Sequence, residues 1–268
     1  MSIVLAVLES GGSAKAVLDT AIGIGELTDA RVEAVHPPGS TSFEKRVAVL
    51  SRRAGVPLRQ LDTAEGDDLL AAVGQADVVA AVVGARSRGA GRYPVGPLVR
   101  HLLERTEKPI VVVRADHPAR PVLRRLLVPL EGTAASSQPV LERLTNLLSN
   151  GVELVVLHVF TEDTLPAMLD RPARDIEILG KEFLHRHLPH AHHIEMRQGS
   201  VPSIVAEVSG QQDSDLIVLS WSQDASPGRA EVIREVLTSS PVPVLLLPAA
   251  PPTPRAANNA SSDEDVAV

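Results

Sequence analysis

One α/β pattern is written twice along the 268 residues of this chain. Val4-Leu5-Ala6-Val7-Leu8-Glu9 precedes a stretch of helical period, and Leu126-Leu127-Val128-Pro129-Leu130-Glu131-Gly132-Thr133 does the same near the middle. Asp77-Val78-Val79 is answered by Asp215-Leu216-Ile217, and Pro109-Ile110-Val111-Val112-Val113 by Pro243-Val244-Leu245-Leu246-Leu247. The copies are offset by roughly 120 to 140 residues, too long for a solenoid repeat and right for a duplicated domain. Each copy is long enough to bury a core of its own.

Within the first copy, short β-branched runs alternate with segments of helical period, the pattern of a parallel sheet covered by helices. Strands are expected near Ile3 to Leu8, Arg31 to His36, Leu58 to Leu61, Val78 to Val83 and Pro109 to Val113. Helices fall near Ser13 to Leu27, Ser42 to Arg53, Asp67 to Val73 and Pro94 to Arg105, with Asp67 as an N-cap and Pro94 in a first turn. The second copy repeats the order, with strands near Arg125 to Leu130, Glu153 to Val159, His193 to Arg197, Leu216 to Ser220 and Val242 to Leu247. Its helices are expected near Ala135 to Leu148, Pro172 to His187, Pro202 to Val208 and Arg229 to Thr238. The apolar runs Leu154-Val155-Val156-Leu157 and Leu216-Ile217-Val218-Leu219 suit strands buried on both faces. Domain boundaries are therefore set at 1–117 and 122–250. The proline-bearing segment Asp116 to Pro121 reads as a short, stiff linker, and residues 251–268 as a disordered tail.

Composition removes several function classes. Acidic residues outnumber basic ones 33 to 26, so the electrostatic footprint of a nucleic-acid protein is missing and no basic block points to an anionic membrane. Cysteine is absent, which excludes disulfides, thiolate metal sites and cysteine nucleophiles, and fits a cytoplasmic location. No apolar run reaches the roughly 18 residues a spanning helix requires, and Met1-Ser2-Ile3-Val4 has no basic leader. Aromatics are 2% of residues, so stacking platforms for bases are nearly unavailable.

Three segments carry a family resemblance: Arg124-Arg125-Leu126-Leu127-Val128-Pro129-Leu130-Glu131-Gly132-Thr133, Asp215-Leu216-Ile217-Val218-Leu219-Ser220, and Ser240-Pro241-Val242-Pro243-Val244-Leu245-Leu246-Leu247-Pro248. In this order and spacing, with counterparts in the first copy, the chain resembles the universal stress protein family in its tandem form. The resemblance implies two doubly wound five-stranded parallel sheets of order 3-2-1-4-5, packed as a pseudo-dimer through their last strands. It also implies an ATP site in some members, built from an Asp at the end of the first strand and a G-x2-G-x9-G-[S/T] signature after the fourth. Glycines there let the backbone approach phosphates, and amides at the next helix N-terminus point at the anion. Open parallel sheets bind ligands at that carboxyl edge, where strand order reverses.

Both copies depart from the signature. The first keeps Gly84, places Ser87 where the second glycine belongs, and ends in Gly96-Pro97, so a hydroxyl and a backbone donor are gone. Glu9, Gly84, Arg86, Ser87, Gly89, Gly91 and Gly96 are the candidate residues of a vestigial site that holds ATP or AMP if it holds anything. The second copy reads Ser220-Trp221-Ser222-Gln223 and Ala230-Glu231, which sets a carboxylate against a triphosphate. The family's Asp appears as Glu9 and Glu131, either of which reaches a ribose or is a solvated strand-end carboxylate.

Other constellations carry less. The tract His185 to His193 holds five of the nine histidines but no tetrahedral ligand spacing, and reads as a polar turn rather than a metal site. There is no G-x-S-x-G elbow; Ser10, Ser13 and Ser136 read as caps or loop residues. Met168 and Phe160 read as core or interface contacts, and Trp221 as a filler over the emptied crevice. The expected function is a non-catalytic stress-response or regulatory module acting through an unnamed protein partner, with no nucleic acid and no membrane. Assembly of two tandem chains into a homodimer is left open. The alternative is an ATP- or AMP-binding switch with slow hydrolysis, using the first copy's site.

Overall fold

Uninterrupted runs of Val, Ile, Leu and Ala become strands here because side chains of period two leave the sheet on both faces and both faces are covered. The computed structural model describes residues 1–10, 14–63, 65–85, 95–117, 122–130, 134–148, 151–161, 193–221 and 229–248. The first half supplies strands β1 (Ile3–Val7), β2 (Arg31–His36), β3 (Leu58–Gln60), β4 (Val78–Gly84) and β5 (Ile110–Val113). Its helices are α1 (Ala14–Thr28), α2 (Thr41–Ala54), α3 (Gly66–Val73) and α4 (Pro97–Arg105). In the second half lie β6 (Arg125–Pro129), α5 (Ala134–Leu147), β7 (Glu153–Phe160), β8 (His193–Gln198), α6 (Val201–Gln211), β9 (Leu216–Trp221), α7 (Arg229–Ser239) and β10 (Val244–Pro248). The helix expected near Pro172 to His187, Met168, and the tail from 251 lie outside the described residues.

All ten strands form one sheet of order β3-β2-β1-β4-β5-β10-β9-β6-β7-β8. Each half therefore reads 3-2-1-4-5, and the halves join where β5 meets β10 antiparallel, Val112 against Val244, Val111 against Leu245 and Ile110 against Leu246. Every other pairing is parallel. Alternation sends Ile3, Leu5 and Val7 into one core and Val4, Ala6 and Leu8 into the other. Both cores cross the junction: Ile110, Val112, Val244 and Leu246 share one, and Val111, Val113, Leu245 and Leu247 share the other. Each such side chain stabilises by roughly 1.5–3 kcal/mol when fully buried, so separating the halves would expose a costly seam.

Helix ends follow local chemistry, with two corrections. Glu65, not Asp67, occupies the N-cap of α3. Asp68 Oδ2 instead accepts from Thr63 N at 2.8 Å and Thr63 Oγ1 at 2.7 Å, which draws the helix start back to Gly66. The first-turn proline of α4 is Pro97, behind Gly96 as N-cap; Pro94 lies outside the described residues. Helix α2 opens on Ser40, whose Oγ accepts from Phe43 N at 3.3 Å, and closes on Gly55 at φ 68°, a left-handed cap suited to glycine.

The start of the expected linker is a latch. Arg114, on leaving β5, is buried and donates to the carbonyls of Thr238 and Ser240, while its Nε bonds Asp116 Oδ1 at 2.8 Å. His117 Nδ1 accepts from Arg114 N at 3.2 Å, and its Nε2–H donates to Ser240 O at 3.2 Å. Those carbonyls terminate α7, where no intrahelical donor remains, so a cation and an N–H from the first half cap a helix of the second. Residues 118–121 lie outside the described residues.

Candidate functional site

Strand order reverses between β1 and β4, the position at which open parallel sheets take a ligand, outside the strands' carboxyl ends. Val7 pairs with Val83, so Gly84 on β4 and Leu8-Glu9 beyond β1 reach the same edge. Leu8 N–H donates to Val35 O at 2.8 Å, extending the ladder toward β2 and leaving half-buried Glu9 at the rim. Past Gly84, Ala85 forms an antiparallel bridge with Val95. That bridge closes the base of segment 86–94 and returns the chain to Gly96, the N-cap of α4. The structure thus places Glu9, Gly84 and Gly96 at one edge; Arg86, Ser87, Gly89 and Gly91 lie outside the described residues. Gly96 has no side-chain cap, and Pro97 behind it contributes no amide to an anion.

The second half's edge is built from different residues. Ser220 pairs with Leu247 as Gly84 pairs with Val113, so the serine takes the glycine's register position. Trp221 follows and turns toward the first half: its Nε1–H donates to Leu103 O at 3.0 Å, and its ring packs against the shared core. Leu103 lies in the last turn of α4, so this carbonyl also lacks an intrahelical donor. The crevice role expected of Trp221 gives way to an interface role. Glu231 stands in the first turn of α7, where a bound anion would need the positive end of the helix. Glu131 and Gln223 lie outside the described residues.

Two histidines at these edges escaped the sequence reading. His36, at the end of β2, donates from Nδ1 to Pro37 O at 2.9 Å and meets Phe43 edge to face at 5.8 Å. His158 on β7 donates from Nδ1 to Leu130 O at 3.1 Å and meets Phe160 edge to face at 4.5 Å. Phe160 is buried, consistent with a core contact. His36 and His158 are separated by the same offset as Glu9 and Glu131, a signal present in the repeat.

Two further polar clusters lie away from these edges. Arg114's hydrogen bond holds the Asp116 carboxyl below its usual range, and burial pushes His117 down to about 4, so the ring is neutral near pH 7. On edge strand β8, Glu195 is ringed by His193 at 2.8 Å, Arg197 at 2.6 Å and Gln212 at 2.8 Å. Among the described residues no group of three or more His, Asp or Glu is placed to hold a metal ion. Residues 185–192 of the histidine tract lie outside them. No described helix is long and apolar enough to cross a membrane.

Residues 123–248 match the profile of the universal stress protein family. The second half of the chain is thus similar to that family's domain. The whole ten-stranded arrangement is similar to a universal stress protein from Archaeoglobus fulgidus, with TM-score 0.63 and 13% identity over 92% of this chain and 96% of that one. It is equally similar to a functionally unknown protein from Pseudomonas aeruginosa, with TM-score 0.64 and 12% identity over 93% of both chains. At such identities the likeness concerns the fold. No curated protein matches the chain. In this universal stress protein fold, the match covers the half whose edge departs furthest from the glycine signature.

Proposed function

We propose that this chain is a non-catalytic stress-response or regulatory module, with a degenerate nucleotide site in its first half, none in its second, and association with a protein partner as its output. The observation that carries the reading is Trp221. It stands one residue beyond the position of the signature's first glycine and is bonded to the other half, through the 3.0 Å contact with Leu103. Glu231 at the start of α7 supports the same reading, since a carboxylate there repels phosphate.

In the first half, Gly96-Pro97 supports decay of the site, because the helix start lacks both a side-chain cap and one amide. The placement of Glu9, Gly84 and Gly96 at one edge favours the second reading, an ATP- or AMP-binding switch. Denaturing extraction of freshly purified protein, followed by chromatographic quantitation of nucleotide, separates the two. The module reading expects far less than one nucleotide per chain; stoichiometric ATP or AMP would establish the switch.

A further inference from the structure

The outward face of α2 carries a basic patch with no carboxylate partner among the described residues, in an acidic protein. Spaced at about 100° per residue, Arg52, Lys45, Val49, Arg53 and Arg46 fall in that order on one arc of about 120°. The core side is occupied by Phe43, Val47 and Ser51, which are buried on the opposite side of the helix. Val49 is 45% exposed at the middle of the arc, and the four cations around it are exposed as well. Glu44, the helix's acidic residue, lies off this arc and accepts from Gly39 N and Gln60 Nε2, each at 3.2 Å. None of the four cations has a carboxylate partner among the described residues; Arg46 rests its guanidinium 5.8 Å from the Phe43 ring centre. The whole chain meanwhile has a formal net charge of −7.

A complementary segment exists in the same chain. Asp263-Glu264-Asp265-Val266 sets three carboxylates beside one branched apolar residue, the inverse of four cations around Val49. Topology brings the two within reach. Because β10 runs antiparallel to β5, and β5 is parallel through β4, β1 and β2 to β3, the chain leaves β10 at the edge where β2 and β3 begin. Helix α2 ends at that edge, since it feeds β3 through Gly55-Val56-Pro57, so Arg52 and Arg53 lie on the side from which the tail departs. β3 and β10 are separated by five strand spacings, roughly 24 Å, whereas residues 249–262 span up to about 45 Å when extended.

We propose that the acidic segment Asp263 to Val266 docks in cis on the outward face of α2, its carboxylates among Lys45, Arg46, Arg52 and Arg53 and its valine against Val49. Tethering makes the encounter intramolecular, with an effective concentration near the millimolar range, so individually weak, screened contacts suffice. The tail then covers a basic surface that an acidic partner reaches only by displacing it.

Zero-length carbodiimide coupling of the full chain at low ionic strength, followed by peptide mapping, tests this. The chain has four lysines, Lys15, Lys45, Lys108 and Lys181, and the Lys15–Asp19 ion pair at 2.5 Å serves as an internal positive control. The expected product joins Asp263, Glu264 or Asp265 to Lys45 in a species of monomer mass. It falls about fivefold or more in roughly 0.5 M salt, in the Arg52→Glu, Arg53→Glu double variant, and in the Asp263→Asn, Glu264→Gln, Asp265→Asn variant, which leaves every described residue untouched. A Lys45 link no more frequent than tail links to Lys15, or one indifferent to salt and to both variants, would overturn the proposal. So would a link confined to species of dimer mass, which would assign the face to a second copy's tail.

Discussion

Val111 and Leu245 stand opposite one another in the antiparallel pair β5–β10, and each occupies in its own half the position the other occupies in its half. The two copies are thus related about this pair, and both side chains are essentially inaccessible, at 0% and 1% exposure. A charge here would be stranded between the halves. Leu245→Asp is expected to destabilise the protein by about 4 kcal/mol or more. In urea, far-UV circular dichroism and Trp221 fluorescence should shift to lower midpoints together. A variant that unfolds one half while the other keeps the native midpoint would show the halves to be energetically separate.

Trp221 caps a carbonyl that no helical amide reaches. Trp221→Phe keeps most of the packing and removes the N–H to Leu103, so the expected loss is about 1 kcal/mol. Trp221→Ala opens a void beside the shared core and is expected to cost about 3 kcal/mol or more. Urea midpoints followed by circular dichroism give both values. Equal effects would mean the hydrogen bond contributes nothing beyond ring packing.

Arg114 and Asp116 make a pair whose members differ in burial, with side chains 9% and 63% exposed. Arg114→Met removes the charged donor shared by the Thr238 and Ser240 carbonyls and leaves Ser240 O to His117 alone, an expected loss of about 1.5–3 kcal/mol. Asp116→Asn removes a largely exposed charge and is expected to cost under about 1 kcal/mol. Denaturant titration of both variants checks the ranking, and its reversal would contradict the latch.

His117 makes the latch sensitive to acid. Its ordinary value of 6.5 is pushed to about 4 by burial, only partly offset by the bond to Ser240. The unfolded chain therefore binds more protons between those values, so His117's contribution is complete above pH 6.5 and is lost as pH falls toward 4. The loss amounts to at most about 3 kcal/mol. Stability measured at pH 7 and pH 4.5 should fall less for His117→Gln than for the parent. An identical pH dependence would show that His117 does not govern this window.

The strands were legible in the sequence because β4, β5 and β10 are continuous apolar runs, which strands covered on both faces require, and because the repeat spells the alternation out twice; their order in the sheet followed only from the family resemblance. The latch was not legible. Arg114, Asp116 and His117 are polar residues ahead of two prolines, the usual composition of a linker; their partners lie more than a hundred residues away in α7 and the following Ser240. Trp221 was similarly ambiguous, since one aromatic at a strand end fits a crevice or an interface until its N–H finds an acceptor. Asp67 looked like an N-cap because the tie between Thr63 and Asp68 that moves the helix start depends on loop geometry, not residue type. Of the candidate site, Glu9, Gly84 and Gly96 could be placed from strand ends alone.

Calorimetric titration of ATP, AMP and cyclic AMP into the full chain tests the loss of the nucleotide site most directly. No heat of binding is expected at submillimolar nucleotide, with Glu9→Ala and Gly84→Val indistinguishable from the parent. Submillimolar ATP binding that either substitution abolishes would contradict it.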